Sequence, residues 1–286
     1  MPDTAYQLIL PRDRKTCVVF ASPHSGMQYS TEFLQEVALD ATMVRSSEDA
    51  FVDVLFAAAP RFGAPLLAAN APRAYLDLNR GADEMDPALI HGINRRSVNP
   101  RISSGLGVIP RVVANGRTIY NYKITLAEAE KRVAEVWHPY HKTLRKLLRQ
   151  SNEMFGRSIL VDCHSMPHEA LSTFQRAGSV RPDVVLGDRF GAAACGDIVQ
   201  RIEASLRAAG LEVARNTPFA GAYIAQTYGR PSLNQHVVQI EIDRSLYMDE
   251  DRIEPNGNFD EMKALMTQVI AEITAFGRAS TPLAAE

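Results

Sequence analysis

The chain has 286 residues, 46% of them hydrophobic and 22% charged, and its formal net charge at pH 7 is -2. This composition is that of a globular protein with a large core, and it gives no support to a nucleic-acid partner, which would need a basic surplus. The N-terminal segment has no apolar signal-peptide core, and no run of about eighteen apolar residues occurs. We therefore predict a cytoplasmic protein that binds a small molecule and has no nucleic-acid or membrane partner.

The apolar runs of the chain predict a sheet with helices around it. Strands are predicted at 16–22, 66–69, 74–78, 158–163, 184–187, 211–215 and 237–242. Helical spacing of apolar residues predicts helices from about residue 48 to about residue 62, over 126–147, at about 191–209 and over 258–273. Because strands alternate with helices and neither a repeat nor a linker divides the chain, we predict a single α/β domain over residues 1–286, with three α/β/α layers.

Loops and a hairpin are predicted beside the ends of these strands. Residues 81–106 and 165–183 have no period and contain Gly, Pro and Ser, which is typical of functional loops. Residues 108–120 predict a β-hairpin, because Asn115 and Gly116 can supply the positive φ angles of a tight turn. We expect these segments to shape a cleft.

Some residues that could bind a metal are assigned to packing instead. Cys17, Cys163 and Cys195 are scattered through apolar segments, which indicates buried free thiols rather than disulfides or a zinc knuckle. His138 and His141 lie beside aromatic residues at a helix break caused by a proline, so we predict packing or capping roles for both.

Two other histidines occupy equivalent positions after predicted strands. The segments 17–26 and 158–165 each run from apolar residues through small polar ones to a His-Ser pair, at His24 and His164. A single histidine of this kind is more often a hydrogen-bonded core or loop residue. Ligands of open α/β sheets bind beyond the carboxyl ends of the strands, however, so the repeated pattern predicts a shared site.

A hydrolytic zinc site needs three protein ligands and one open position, and His24 and His164 can supply two of them. The third would come from Glu48 or Asp49, which the sequence places at the start of a helix. The alternative is that these acids only interact favourably with the helix dipole. The two histidines favour the metal-binding interpretation, with Zn²⁺ or another divalent metal as the cofactor.

Glu241 is a candidate general base and acid. It lies in an apolar strand, where a carboxylate is costly to bury unless it is paired or faces a polar cleft. Near a metal it could take a proton from water and return it to a leaving amine. The alternative is a structural salt bridge with Arg244 or Arg230.

Asn79 and Arg80 follow another predicted strand and could bind a substrate carboxylate. The planar guanidinium group matches a carboxylate with two hydrogen bonds, and the amide of Asn79 adds a donor. The alternative is a structural pair between Arg80 and Asp77 or Asp83.

A set of motifs spread over about residues 20–250 resembles the N-formylglutamate amidohydrolase family. These motifs are Ser22-Pro23-His24-Ser25-Gly26, Glu48-Asp49-Ala50-Phe51-Val52-Asp53, Asp77-Leu78-Asn79-Arg80, Pro139-Tyr140-His141, Asp162-Cys163-His164-Ser165, Gly229-Arg230-Pro231 and Gln239-Ile240-Glu241. Each motif is weak alone, and their order makes the set specific.

The resemblance implies a fold similar to that of the zinc carboxypeptidases, a phosphorylase/hydrolase-like mixed sheet between helices, with one zinc ion. It implies His24, Asp49 and His164 as metal ligands and Glu241 as general base and acid. It also implies that Asn79 and Arg80 bind the substrate carboxylate. The expected activity is hydrolysis of the amide bond of a small N-acyl amino acid, N-formyl-L-glutamate or a relative.

The chain departs from these patterns in three places that bear on specificity, one of which is the segment after His164, Met166-Pro167-His168-Glu169. Met27 takes the place of the acid in the His-x-x-Glu spacing of the carboxypeptidases, and Gln226 stands where family members with the deformylase role tend to have arginine. Two other functions remain open, a carboxypeptidase for short peptides and a non-catalytic metal- or ligand-binding domain. Arg73 and Arg111 are both candidates for stabilising the oxyanion.

Overall fold

The computed structural model describes residues 4–93, 99–172 and 181–278. Within these ranges, seven strands form one sheet in the order β1-β3-β2-β4-β7-β5-β6. The strands are β1 (Tyr6–Ile9), β2 (Val18–Ser22), β3 (Leu66–Ala69), β4 (Ser158–Met166), β5 (Val184–Gly187), β6 (Val213–Arg215) and β7 (Gln235–Asp243), with a separate short pair of β8 (Met248–Asp249) and β9 (Glu254–Pro255).

Helices connect the strands. They are α1 (Thr31–Glu36), α2 (Val52–Leu55), α3 (Pro100–Ser103), α4 (Leu126–Arg132), α5 (His138–Phe155), α6 (Gly196–Ala208), α7 (Tyr223–Tyr228) and α8 (Phe259–Phe276). A π-helical turn, Val133–Trp137, joins α4 to α5. Across the described ranges, no helix has the length and apolar character that a membrane crossing would need.

The sheet is mixed, as predicted. Strands β3, β2, β4 and β7 are parallel to one another, whereas β1 and β5 run antiparallel to their neighbours β3 and β7. The carboxyl ends of β2, β4 and β7 therefore meet at one edge of the sheet, which is where ligands of α/β proteins bind.

Helices cover both faces of the sheet and give the predicted α/β/α layers. Helix α5 packs on one face through the buried residues Tyr140, Leu144, Leu147 and Leu148. Helices α6 and α8 pack on the other face, and α8 contributes Met262, Met266, Val269, Ile270 and Ile273. Each fully buried side chain of this size contributes about 1.5–3 kcal/mol through removal of apolar surface from water.

The faces of β4 and β7 alternate, and this alternation places the polar residues. Leu160 and Val237 belong to the core beneath α5, and Asp162, His164, Gln239 and Glu241 follow on the same face by the two-residue period of a strand. The polar groups thus lie on the α5 side of the sheet at its carboxyl edge.

Two strand predictions are corrected by the structure. Strand β4 continues to Met166, so His164 lies inside the strand rather than after it. Residues 74–78 form no strand: the backbone N–H groups of Tyr75 and Leu76 donate to the carbonyl of Pro72, and the N–H of Asp77 donates to the carbonyl of Val108. The alternating residues are buried on both sides of a loop, which removes the contrast that a half-exposed strand would show.

Other predictions are confirmed in part. Asn115 and Gly116 have the expected positive φ angles of 58° and 68°, and the pairing beside them forms an isolated antiparallel bridge between Val112 and Thr118 rather than strands. Cys17 and Cys163 are buried free thiols, whereas Cys195 is exposed because α6 begins only after it. Parts of the two predicted loops, residues 94–98 and 173–180, lie outside the described residues.

Candidate metal centre

His24, Asp49 and His164 come together although they are far apart in the chain. One ligand atom of each residue lies within 4.8 Å of those of the other two, and all three side chains are buried. Asp49 Oδ2 lies 2.9 Å from His164 Nδ1 and 3.4 Å from His24 Nδ1. The two imidazole rings are 4.8 Å apart between centroids.

The outer nitrogens of both rings face carboxylates. His24 Nε2 donates to Asp77 Oδ1 at 2.7 Å, and His164 Nε2 lies 3.1 Å from Asp162 Oδ2. Histidines that bind metal ions usually have such a carboxylate behind them, which fixes the tautomer and raises the basicity of the other nitrogen. The inner nitrogen, Nδ1, of each ring is therefore the one available for a cation.

The donor atoms fit a divalent cation. His24 Nδ1 is buried and has no hydrogen-bond partner in the described part of the chain, which is costly unless another ligand occupies the position. Two imidazole nitrogens and one carboxylate oxygen form a set that suits zinc and other divalent transition metals, and such a set would leave room for water or substrate on the cation.

The chain segments around His24 are held close together. The backbone N–H of Asp49 donates to the carbonyl of His24 at 3.0 Å, so two ligand segments contact each other directly. The turn that carries His24 also contains Gly26, at which a Cβ atom would lie 2.2 Å from the carbonyl oxygen of Ala71. Only glycine allows this approach of the two backbones.

The electrostatics of the cluster favour charged groups. Burial alone would raise the pKa of Asp49, but the hydrogen bond from His164 and the nearby imidazole of His24 hold it well below the usual range. Burial likewise opposes charge on His164, yet Asp162 and Asp49 raise its pKa well above the ordinary value. Either a proton or a metal cation can balance the negative charge of these carboxylates. Binding of a metal to the imidazoles would release the proton.

Glu241 lies beside the cluster on the neighbouring strand. It is the register partner of His164, it is 7% exposed, and its Oε1 accepts a hydrogen bond from Gln239 Nε2 at 2.7 Å. Burial, opposed by the charge of His164 and reinforced by that of Asp49, raises the pKa of Glu241 to about 8. A divalent cation at the cluster would lower this pKa again, because it adds positive charge nearby.

The alternative role of Glu241, a structural salt bridge with Arg244 or Arg230, is not observed among the described residues. Arg244 forms its ion pairs with Asp49 and Glu250, and Arg230 lies on the exposed side of the turn after α7. Within the described ranges, Glu241 has no ion pair at or below 4.0 Å. A buried carboxylate without a cation partner faces the polar cavity instead.

The two candidates for stabilising an oxyanion are separated by the structure. Arg73 lines the same cavity as the cluster, and its Nε donates to Asp77 Oδ2 at 3.1 Å. Arg111 does not line this cavity. Its Nε donates to Asp86 Oδ2 at 2.8 Å. Arg73 is therefore the candidate that lies near the cluster, with Nη1 3.9 Å from Asp49 Oδ1.

Asn79 and Arg80 both line the cavity, and each forms hydrogen bonds with different partners. Asn79 Oδ1 accepts from the backbone N–H of Ile224 at 2.8 Å, and its Nδ2 lies 3.2 Å from His164 Nε2. Arg80 donates from Nε to the carbonyl of Leu106 and from Nη1 to the carbonyl of Asn79, which leaves Nη2 outside these bonds. The geometry places Asn79 against the histidine, and its role as a substrate ligand stays a prediction.

The alternative pairing of Arg80 with an acid is not observed among the described residues. Asp77 is occupied by His24 and Arg73, which lie at 2.7 Å and 3.1 Å. A buried guanidinium group without a carboxylate partner carries an unbalanced positive charge, which favours an anionic ligand.

A cavity of about 620 Å³ joins these groups. Besides the cluster and Glu241, its lining includes Arg80, Arg101 and Arg244. The cavity has the size of a small-molecule site. Gln226 and Met27, two of the places at which the chain departs from the family pattern, are exposed and do not line this cavity.

His141 has the packing role that the sequence predicted. It is buried, its Nε2 donates to the carbonyl of Leu78 at 2.9 Å, and its Nδ1 accepts from the hydroxyl of Tyr228. Burial lowers the pKa of His141 to about 3, so the ring is neutral and keeps this tautomer. His138 is exposed.

Sequence reasoning missed three functional neighbours of the cluster. Asp162 was detectable, because it precedes His164 by two residues and therefore shares a strand face with it. No local pattern in the sequence predicts that Asp77 contacts His24 or that Arg244 contacts Asp49.

Comparison with known proteins identifies the family of the chain. The model of the family described as N-formylglutamate amidohydrolase matches residues 16–248. A relative from Pseudomonas aeruginosa, named N-formylglutamate deformylase, is 29% identical over 272 residues, which cover 91% of this chain and 94% of the relative. A relative of the same name from Pseudomonas putida is 28% identical over 236 residues and covers 82% of each chain.

Solved structures give the same result. The crystal structure of N-formylglutamate amidohydrolase from Ralstonia eutropha JMP134 superposes with a TM-score of 0.89 at 34% identity, over 96% of this chain and 98% of that one. A gene product of Agrobacterium tumefaciens superposes with a TM-score of 0.66 at 15% identity, over 96% of both chains, and this likeness shows a shared fold.

Proposed function

Because the chain belongs to the N-formylglutamate amidohydrolase family, we propose that it is a zinc-dependent amidohydrolase of small N-acyl amino acids, with N-formyl-L-glutamate as the first candidate substrate. The observation that carries this proposal is the meeting of His24, Asp49 and His164 beside Glu241 at the carboxyl edge of the sheet. We also propose that residues 1–286 act as one domain, because strands from both ends of the chain share a sheet.

A divalent cation held by His24 Nδ1, Asp49 Oδ2 and His164 Nδ1 would polarise the substrate carbonyl and make water more acidic. The hydrogen bond to Asp77 would keep the His24 ring in the tautomer that this requires, and Asp162 lies behind His164 with Oδ2 3.1 Å from Nε2. Zinc is the metal that we propose, and other divalent transition metals would suit the same donors.

Glu241 is the proposed general base and acid. Gln239 holds its Oε1, so Oε2 is the oxygen that would take the proton of the attacking water and return it to the leaving amine. The position of Glu241 opposite His164 across the β4–β7 register, and its place in the lining of the cavity, support this role.

Arginines bind and orient the substrate in this proposal. Arg80 Nη2 binds the carboxylate of the amino acid, and the amide of Asn79 is the predicted second donor. Arg73 lines the same cavity, with Nη1 3.9 Å from Asp49 Oδ1, and its guanidinium group would stabilise negative charge that develops on the acyl oxygen.

A combined metal and substrate assay tests the proposal. The protein is freed of metal, loaded with Zn²⁺, and assayed for release of the free amino acid from N-formyl-L-glutamate, N-acetyl-L-glutamate and a dipeptide. One bound zinc per chain with turnover of the N-formyl compound is the expected result. Turnover of the dipeptide alone would support a carboxypeptidase, and absence of stoichiometric zinc would support a non-catalytic ligand-binding domain.

A further inference from the structure

Arg244 contacts the metal-ligand carboxylate from behind. It is the first residue of the 3-10 turn Arg244–Leu246 that follows β7, and it is buried. Its Nη2 donates to Asp49 Oδ1 at 3.0 Å, its Nε donates to Ser165 Oγ at 3.1 Å, and its Nη1 donates to the carbonyl of Ser46 at 3.3 Å. All three nitrogens of the guanidinium group are therefore committed.

The two oxygens of Asp49 have different surroundings. Oδ2 faces the two histidines, at 2.9 Å from His164 Nδ1 and 3.4 Å from His24 Nδ1. Oδ1 faces Arg244 at 3.0 Å, with Arg73 Nη1 further away at 3.9 Å. Rotation of the carboxylate would break the contact with Arg244, so only Oδ2 is presented to the cluster.

Asp49 needs such an anchor because it lies outside regular secondary structure. A 3-10 turn ends at Ser47, α2 begins only at Val52, and Asp49 lies between them. His164 is held by a central strand and its hydrogen-bonded neighbours, but no ladder fixes the side chain of Asp49.

We propose that Arg244 is a positioning residue of the metal centre, which holds Asp49 so that it binds the cation through Oδ2 alone. This inference rests on the proposed metal site. In this proposal, the turn after β7 orients a metal ligand. Arg244 connects Asp49 and the nearby Ser46 to Ser165, which lies on the same strand as His164.

A competing explanation is that Arg244 only neutralises a buried carboxylate. The two explanations differ for Arg244→Lys, because lysine keeps the positive charge but has a single ammonium group that cannot reproduce the planar, three-nitrogen contact. Positioning predicts weaker metal binding in this variant, whereas neutralisation predicts unchanged binding.

Tyr247→Phe is the matched control. Tyr247 belongs to the same turn region, and its hydroxyl donates to the carbonyl of Ala50 at 3.0 Å, so it anchors the same loop without touching the carboxylate of Asp49. Loss of this bond tests general tethering of the loop.

The experiment measures Zn²⁺ affinity by competition with a chelator, and the d–d absorption of Co²⁺ as a signature of the ligand arrangement. We expect Arg244→Lys and Arg244→Met to bind Zn²⁺ about 10- to 100-fold more weakly than the wild type and to change the Co²⁺ spectrum, as is usual for residues that orient metal ligands. Tyr247→Phe should keep both. If Arg244→Met does not fold, Arg244→Lys decides the question.

Wild-type affinity and spectrum in Arg244→Lys would overturn the inference, as would an equal loss in Tyr247→Phe. Neither result would contradict the proposal that the wild type binds a metal at His24, Asp49 and His164. Failure of the wild type to bind Zn²⁺ would instead refute the proposed function, so the two failures are distinguishable.

Discussion

Trp137 donates a hydrogen bond from its indole Nε1 to the backbone carbonyl of Arg80, at 2.8 Å. One helical turn later, His141 Nε2 donates to the carbonyl of Leu78 at 2.9 Å. The backbone on both sides of Asn79 is thus held by two aromatic donors from one helix face. The π-helical turn that ends at Trp137 widens the helix there, and such turns are frequent near functional sites.

We expect Trp137→Phe to weaken substrate binding while metal binding is kept. The variant retains an aromatic ring but leaves the carbonyl of Arg80 without its donor, which costs about 1–3 kcal/mol if no water replaces it. The loop that presents Arg80 should become less ordered, so KM for N-formyl-L-glutamate should rise by about tenfold, which corresponds to about 1.4 kcal/mol. Steady-state kinetics and zinc content measure the two effects.

Tyr140→Phe is the matched control on the same helix. The hydroxyl of Tyr140 is buried and has no hydrogen-bond partner among the residues described. Its removal should leave KM unchanged and should not lower the melting temperature, because an unsatisfied polar group is lost. A rise in KM equal to that of Trp137→Phe would show that the effect comes from packing of the helix and not from the carbonyl contact.

The fold was predictable where local pattern and burial agree. The apolar runs at 66–69 and 184–187 are strands with those bounds, and the stripe of α8 is buried as its spacing predicts. The loop at 74–78 was not predictable from its alternating apolar and polar residues, because contacts with residues distant in the chain, such as Val108, bury all of them. Sequence periodicity cannot separate a half-buried strand from a loop that is covered on both sides.

Much of the candidate site could also be predicted, since the pattern of two His-Ser pairs identifies the segments that the structure joins at His24 and His164. Spacing could not decide between Glu48 and Asp49, because the segment that carries them does not form the continuous helix that the sequence predicts. In the structure, Glu48 turns to Arg45, with Oε1 3.1 Å from Nε, whereas Asp49 faces the histidines.

We therefore expect Asp49→Asn to lose zinc and Glu48→Gln to keep it. Both variants exchange a buried carboxylate for an amide in the same segment, so they share the local effect on packing. Asp49→Asn removes a ligand, and its loss of Zn²⁺ affinity should exceed the about 10- to 100-fold caused by changes behind ligands. Chelator competition measures both affinities, and equal zinc affinity in the two variants would contradict the assignment of Asp49.

Replacement of Glu241 by glutamine should separate catalysis from metal binding. The amide preserves the shape of the side chain and can still pair with Gln239, but it cannot accept the proton of water. We expect kcat for N-formyl-L-glutamate to fall by about 10²- to 10⁴-fold, the usual contribution of a general base. Zinc content should remain one per chain, and unimpaired turnover would remove Glu241 from the mechanism.

Arg101 should favour substrates that carry a second carboxylate. It lines the cavity together with Arg80, and the backbone of Leu106 bonds to both residues. Burial lowers the pKa of Arg80, and the charges of Arg73 and Arg101 add to this effect against the charge of Asp77. Two neighbouring guanidinium groups repel each other, and a ligand with two carboxylates relieves that repulsion. N-formyl-L-glutamate has two carboxylates, whereas N-formyl-L-leucine has one, so a comparison of these substrates isolates the contribution of the second group.

We expect Arg101→Met to raise KM for N-formyl-L-glutamate about two- to fivefold, because an exposed ion pair contributes about 0.2–1 kcal/mol. KM for N-formyl-L-leucine should stay the same or fall slightly, since the repulsion on Arg80 is removed. Arg149→Met is a suitable control, because Arg149 pairs with Glu153 on the surface of α5 and does not line the cavity. The ratio of kcat/KM for the two substrates is the measurement, and an equal change for both would show that Arg101 does not distinguish them.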